Sequence, residues 1–223
     1  MPEQRFSIDV PGSRAVSVIA STSDARANLT LIYAPGAGSN LNDPFGAYLA
    51  SHLPDEGIAV WRFQFPYMEA HRGGPDRPPV LEATWRAVLA EARVRGADRI
   101  VAGGRSMGGR IASQVVAAGE TVAGLVLFAY PLHPPGKPQQ RRDAHLPAIA
   151  VPTLFVSGTR DDFGTPDELR GAAALVPGAR LDLLDGADHG YKVLKASGRT
   201  QQAVWEHATT ALLHFCRELL LQR

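Results

Sequence analysis

Residues Arg99–Ala118, RIVAGGRSMGGRIASQVVAA, read as a strand, a sharp turn and a helix, and this unit decides the fold. Ile100, Val101 and Ala102 form a short apolar run of the kind buried in a parallel sheet. Gly103 and Gly104 are then expected to release the chain from extended geometry. Gly104, Ser106 and Gly108 spell G-x-S-x-G. In that pattern the glycines let strand and helix approach closely, while the middle residue is strained and its side chain exposed, so its hydroxyl can act as a nucleophile. Ile111, Ala112, Val115, Val116, Ala117 and Ala118 continue as a helix, whose unpaired first N–H groups would favour negative charge beside Ser106. Two other readings compete for the pentapeptide: a glycine-rich helix entry that merely packs tightly, and a phosphate-binding turn of the dinucleotide type. The second fits poorly, because the glycine spacing is not G-x-G-x-x-G and the stretch lies mid-chain. The surrounding sequence has to decide.

Outward from this unit, strands and helices alternate. Phe6, Ile8 and Val10, then Ala15–Ala20, predict an opening antiparallel hairpin broken at Pro11 and Gly12. Asn28–Ala34 is an apolar strand running into Pro35–Asn40, PGAGSN, whose glycines allow backbone N–H groups to turn toward a bound group; Asp43 and Pro44 then open a helix through Phe45, Tyr48, Leu49 and Leu53. Ile58–Phe63 is a further strand, and the proline-rich Phe65–Pro79 is expected as a surface loop at the rim of a site. Val80–Arg95 predicts an amphipathic helix with Leu81, Thr84, Trp85, Val88, Leu89 and Ala92 on one face. Gly124–Tyr130, Thr153–Ser157 and Leu181–Leu184 complete the strands, and Pro166–Leu175 and Thr200–Leu221 the helices. Pro131–Val151 is too short for a large lid. The alternation predicts an α/β class protein with a mostly parallel, doubly wound sheet flanked by helices.

With 223 residues, the chain suits a single domain spanning 1–223. A hydrophobic content of 45%, a charged fraction of 20% and a net charge of +1 give no electrostatic bias toward nucleic acid or membranes, so neither is expected as a partner. The first residues lack the apolar centre of a secretory signal, and the longest apolar runs are about half of the ~20 residues that span a bilayer. Cys216 is the single cysteine, which leaves no disulfide framework or cysteine-rich metal site and suits a cytoplasmic location. No metal or cofactor is expected. The oligomeric state, monomer or homodimer, is left open.

In a doubly wound sheet, function gathers at the carboxyl ends of the strands. Past Ser157 come Asp161 and Asp162, in SGTRDDFGTP, and past Leu184 comes His189, in DGADHGY. The order Ser, Asp, His, each in a post-strand loop, matches the α/β-hydrolase arrangement. Over nearly its whole length the chain resembles that superfamily, and within it the small lidless bacterial hydrolases of the dienelactone-hydrolase-like and testis-expressed-protein-like branch. The resemblance rests on PGAGSN at Pro35, GRSMGG at Gly104, YPLHPPGKP at Tyr130, GTRDDFGTP at Gly158 and DHGYK at Asp188. It implies an α/β-hydrolase fold without a large lid, and it places Asp161, rather than Asp162, at the acid position. The chain departs from the pattern in having Pro35-Gly36 where many relatives have His-Gly. Ser106 also stands where dienelactone hydrolases proper carry cysteine, so their lactone substrate is not implied.

Each residue type suits a role. A serine hydroxyl needs a base, and histidine is the residue type suited to that work near neutral pH, so His189 is the candidate. The other ring nitrogen needs a carboxylate to fix its tautomer. An oxyanion needs donors placed in advance, for which the Met107 N–H and an N–H from Ala37 or Gly38 are the candidates. Tyr130, His133 and Arg105 are candidate substrate-binding residues, with Tyr67 and Met68 possible walls of an acyl pocket. Asp185 and Asp188 could stand in as the acid, although turn-forming aspartates are common at such positions. His207, His214 and Cys216 read as surface or packing residues of the last helix. The expected activity is a serine hydrolase acting on a small-molecule ester or thioester of modest size. A peptidase, a C–C hydrolase or a perhydrolase would use the same triad, and a binding or scaffold module could retain the fold.

Overall fold

A computed structural model describes residues 3–23 and 27–221. The order of elements follows from where apolar periodicity changes between two and 3.6 residues. Strands β1 (Glu3–Ile8) and β2 (Val16–Ser21) form the antiparallel hairpin; β3 (Leu29–Ala34), α1 (Pro44–His52) and β4 (Ile58–Phe63) follow. After α2 (Pro66–Glu69) and α3 (Pro78–Val94) comes the central unit of β5 (Ile100–Arg105) and α4 (Met107–Ala117). The chain continues through β6 (Gly124–Phe128), β7 (Thr153–Gly158), α5 (Pro166–Ala174), β8 (Arg180–Leu184) and α6 (Gln201–Leu221). The eight strands of the described residues make one sheet, ordered β1-β2-β4-β3-β5-β6-β7-β8, in which β1 and β2 pair antiparallel and every pair from β4 to β8 is parallel.

Alternate residues of each central strand feed opposite layers, as a period of two requires. On β3, Ile32 and Ala34 face a core shared with α3, α4 and α5, whereas Leu29, Leu31 and Tyr33 face one shared with α1 and α6. The six residues expected on one face of α3 are its buried residues. Its start lies at Pro78, ahead of the expected Val80, because a proline in the first turn forfeits no helical hydrogen bond.

Two local expectations are corrected. Strand β5 does not end at Ala102 but runs through both glycines to Arg105. A side chain at Gly103 would strike the Val126 carbonyl and one at Gly104 the Ala34 carbonyl, so these glycines serve close strand packing. Phe65–Pro79 is not wholly a surface loop, since Phe65, Tyr67 and Met68 are buried and α2 begins at Pro66. Phe65 packs edge-on against Phe63, and that aromatic area outweighs the solvating tendency of the prolines. Only from His71 onward does the segment face solvent. None of the described helices is long and apolar enough to cross a membrane.

Candidate active site

Ser106 stands between β5 and α4 with φ 53° and ψ −119°, a backbone conformation that costs a non-glycine residue on the order of 1–3 kcal/mol. Its neighbours hold it there. The Ser106 N–H donates to the Phe128 carbonyl (2.8 Å), and its own carbonyl accepts from the Arg110 N–H (3.0 Å). Gly108 is required because any side chain there would meet the Ala34 carbonyl, so helix and strand β3 can touch only at a glycine. The result is a hydroxyl lifted off the end of the sheet.

His189 reaches it from the loop after β8. Its Nε2 lies 2.9 Å from Ser106 Oγ, while its Nδ1 lies 2.8 Å from Asp161 Oδ2 and 3.0 Å from Oδ1. The Asp161 carboxylate is fully buried and also accepts the Phe163 N–H at 2.8 Å. Asp162, next in sequence, is exposed. The Phe163 ring stacks on the imidazole, centroids 4.0 Å apart, and so restricts its rotation. Asp188 builds the turn that carries His189: its Oδ1 accepts the N–H groups of Gly190 (2.8 Å) and Lys192 (2.9 Å). Asp185 is an exposed residue within 3.8 Å of Arg199. The three-residue chain of hydroxyl, imidazole and buried carboxylate is able to move a proton off the serine and to stabilise the imidazolium that results.

Facing it is the loop after β3. A Cβ on Gly36 would sit 3.5 Å from that of Ser106, so this loop lies directly against the serine turn. Gly36 and Ser39 close a turn (Ser39 N–H to Gly36 carbonyl, 3.0 Å), and the Tyr67 hydroxyl donates to the Ala37 carbonyl at 2.8 Å. Burial pushes that phenol up to about 12, so it remains a donor at any working pH. No acceptor among the described residues takes the Ala37 or Gly38 N–H. The Met107 N–H, at the first position of α4, has no intrahelical acceptor. Asp43 ties the loop down. Its buried carboxylate accepts from Tyr33 (2.6 Å), Ser39 (3.0 Å) and the Gly46 N–H (2.9 Å), and lies 3.7 Å from an Arg105 guanidinium nitrogen.

The cleft between these loops measures about 410 Å³ and is lined by Gly36, Ala37, Gly38, Ser106, Met107 and His189, together with Arg105, Arg110 and Arg142. Arg105 therefore lies where the sequence suggests, but Tyr130 and His133 do not line the cleft. Tyr130 is buried in the core, donating its hydroxyl to the Arg142 carbonyl (2.6 Å). His133 is turned to Glu168 (3.2 Å) and to the Pro134 carbonyl (2.9 Å). Both lie just past β6, where the positive φ of Ala129 redirects the chain. Tyr67 contributes through the Ala37 carbonyl and not as a wall, and Met68 is a core residue. His207 and His214, both on α6 and away from the cleft, pair with Asp182 of β8 (3.0 Å) and with Glu218 (3.3 Å), and Cys216 is buried in the core. Arg110 and Arg142 were missed by sequence reasoning. Arg110 carried a usable signal, being four residues after Ser106 on the same helix face; Arg142 lies in an irregular connection with none.

Residues 27–217 match a family model described as an alpha/beta hydrolase domain. An alpha-beta serine hydrolase homologue from Coxiella burnetii is similar with a TM-score of 0.73 and 22% identity, covering 100% of this chain and 97% of that one. A serine hydrolase without a lid from Xanthomonas campestris gives 0.73 and 18%, covering 98% and 96%. A segment of 46 residues, 21% of this chain, is 46% identical to part of a polyketide synthase from Burkholderia thailandensis and spans 2% of that protein's length. Here too the connection between β6 and β7 holds only a short helical turn, Leu146–Ala148, in place of an inserted lid. With the family model spanning most of the sheet, and the serine turn sited between β5 and α4, the chain belongs to the alpha/beta hydrolase family.

Proposed function

We propose that the protein is a serine hydrolase that cleaves a carboxylic ester or thioester of modest size. The observation that carries this reading is the continuous chain from Ser106 Oγ through His189 to the buried Asp161 carboxylate, at 2.9 and 2.8 Å. As His189 Nε2 takes its proton, Ser106 Oγ attacks the carbonyl carbon. The tetrahedral oxyanion is held by the Met107 N–H and by an N–H of Ala37 or Gly38, and one such donor is worth about 3–4 kcal/mol. The bond to the leaving oxygen or sulfur then breaks, and that atom receives the proton from His189. Water, deprotonated by the same imidazole, releases the acyl group as a carboxylic acid and restores the serine. The open cleft of about 410 Å³ supports a small substrate and broad tolerance of its acyl part. A cytoplasmic location belongs to the same reading and is supported by the buried, unpaired thiol of Cys216.

Labelling with a fluorophosphonate probe tests it. Covalent modification is expected at Ser106, abolished in Ser106→Ala and nearly lost in His189→Ala. Folded wild-type protein that takes no label would overturn the proposal.

A further inference from the structure

Three arginines from three separate parts of the chain converge on the cleft: Arg105 at the end of β5, Arg110 in α4 and Arg142 in the connection to β7. No carboxylate lines the cleft beside them. Arg105 is partly neutralised by Asp43 at 3.7 Å, but Arg110 and Arg142 have no anionic partner among the described residues. Arg110 reaches only the neutral Gln114 side chain, at 3.4 Å, and its buried Nε has no hydrogen-bond partner. Arg142 donates to the Pro131 carbonyl at 3.3 Å.

This arrangement is costly without a ligand. A partly buried guanidinium lacking a counter-charge loses hydration without recompense. Arg110 also belongs to the opening turns of α4, the positive end of the helix dipole, where a cation is disfavoured. Burial and the neighbouring Arg142 both push Arg110 below the ordinary arginine range. The nearby His145 is lowered by burial and by Arg110, and its Nε2 lies 2.7 Å from Ser113 Oγ. Nothing in the packing requires the Arg110 charge, since its guanidinium caps no carbonyl and bridges no acidic residue among the described residues. Arginine is also the side chain suited to gripping a planar or tetrahedral oxygen anion through paired N–H groups.

We propose that the Ser106 cleft takes an ester or thioester whose body carries a second, anionic oxygen group, a carboxylate or phosphate, held by the guanidinium groups of Arg110 and Arg142. This rests on the serine-hydrolase reading and narrows its substrate class. The anion takes no part in the covalent steps. It anchors the far end of the substrate, leaving the scissile carbonyl against Ser106.

Matched substrate pairs test the assignment. Mono-para-nitrophenyl adipate is compared with para-nitrophenyl hexanoate, placing the charge on the acyl side. para-Acetoxybenzoate is compared with para-acetoxybenzamide, placing it on the leaving side, and para-acetoxyphenyl phosphate separates phosphate from carboxylate. In at least one arm the anionic member should be preferred by about tenfold or more in kcat/KM, as expected for a charge-assisted contact, and the preference should shrink with added salt. In R110Q and in R142Q the ratio of anionic to neutral turnover should fall by about tenfold. Neutral members preferred or equal in every arm, with Ser106 still labelled by the fluorophosphonate, would overturn this inference and leave the serine-hydrolase reading intact. Should Ser106 prove unreactive, calorimetric titration of wild type and R110Q with sodium adipate and inorganic phosphate decides the anion site alone. Binding of either anion that is lost in R110Q supports the site, and its absence from wild type overturns it. The R110Q melt is a further check: a Tm at or above that of wild type fits a guanidinium that awaits a ligand, whereas a large fall would make Arg110 structural and overturn the proposal.

Discussion

The two loops that face each other across Ser106 are held by different means. The loop carrying His189 is tied by backbone to its neighbour after β7: Arg160 donates its N–H to the Ala187 carbonyl (2.9 Å) and Thr159 to that of Leu184 (3.1 Å). A turn around Asp188 then sets the direction of the imidazole. The loop after β3 instead depends on side chains: Tyr67 donates to the Ala37 carbonyl, Gln64 accepts the Leu41 N–H, and Asp43 is the hub that joins Tyr33, Ser39 and the Gly46 N–H. Backbone ties survive most substitutions, whereas a side-chain tie is lost with one residue. It follows that, the Asp188 turn apart, single substitutions on the His189 side should act mainly through the reacting groups. On the oxyanion side they should also act through groups that never meet the substrate.

The sharpest test of this contrast is the pair Asp161→Asn and Asp162→Asn. The first keeps the shape of the buried side chain but presents the wrong hydrogen-bonding partner to His189 Nδ1, and kcat should fall on the order of 10⁴-fold. The fold should persist, because the backbone ties of this loop are untouched. The exposed Asp162 touches neither His189 nor Phe163 through its carboxylate, so its substitution should change kcat by less than about twofold. Equal losses in the two variants would refute the assignment of the acid. Steady-state rates with a para-nitrophenyl ester, beside a thermal melt, are sufficient.

Much of this architecture was legible in the sequence because its signals are local. Apolar runs bounded by Gly and Pro marked the strands, and the i, i+3, i+4 face of α3 named its buried residues. Ser106, Asp161 and His189 each follow a strand in a parallel sheet, so they meet at one edge whatever the loop details. What could not be read depends on the order of strands and on the path of irregular backbone. Asp43 looked like an ordinary helix cap, which it is, but its contacts to Tyr33 and Arg105 exist because β3 lies between β4 and β5. Tyr130 and His133 were expected at the cleft because they directly follow β6. The left-handed backbone at Ala129 turns the chain, and Tyr130 is buried in the core instead. Arg142 was invisible for the same reason: no periodicity governs residues 129–152.

Asp43→Ala probes the hub itself, with a smaller effect on rate than loss of the acid and a larger one on stability. It would leave the buried Tyr33 hydroxyl and the Gly46 N–H without an acceptor and Arg105 without its counter-charge. A loss of about 3 kcal/mol is expected, which for a chain of this size lowers Tm by roughly 6–12 °C. Because the β3 loop would loosen, kcat should fall about 10- to 100-fold at temperatures where the protein remains folded. Asp43→Asn keeps one acceptor oxygen and should recover part of both losses. A variant with wild-type Tm and kcat would show that the loop is held by its own turn and that the contrast between the two loops is only apparent.

Tyr67→Phe is the gentlest way to sharpen the comparison. It deletes one hydrogen bond, from the phenol to the Ala37 carbonyl, and leaves the ring to pack against Phe65. A single such bond contributes about 1 kcal/mol, so Tm should drop by no more than roughly 4 °C. The effect on rate has a more particular cause. In a trans peptide the C=O and the following N–H point in opposite directions, so fixing the Ala37 carbonyl toward Tyr67 also fixes the Gly38 N–H away from it. Freed from Tyr67, that peptide can rotate, and a donor that must already be in place when the oxyanion forms is then in place only part of the time. The loss should therefore fall on kcat, by about three- to tenfold, with KM nearly unchanged, because an interaction made only in the transition state lowers kcat and kcat/KM together. A rise in KM at constant kcat would instead assign Tyr67 to ground-state binding and would count against the Gly38 N–H, rather than that of Ala37, as the first-loop donor. The distinction is readable from one set of initial rates on a neutral ester, where the arginines across the cleft have no anion to hold.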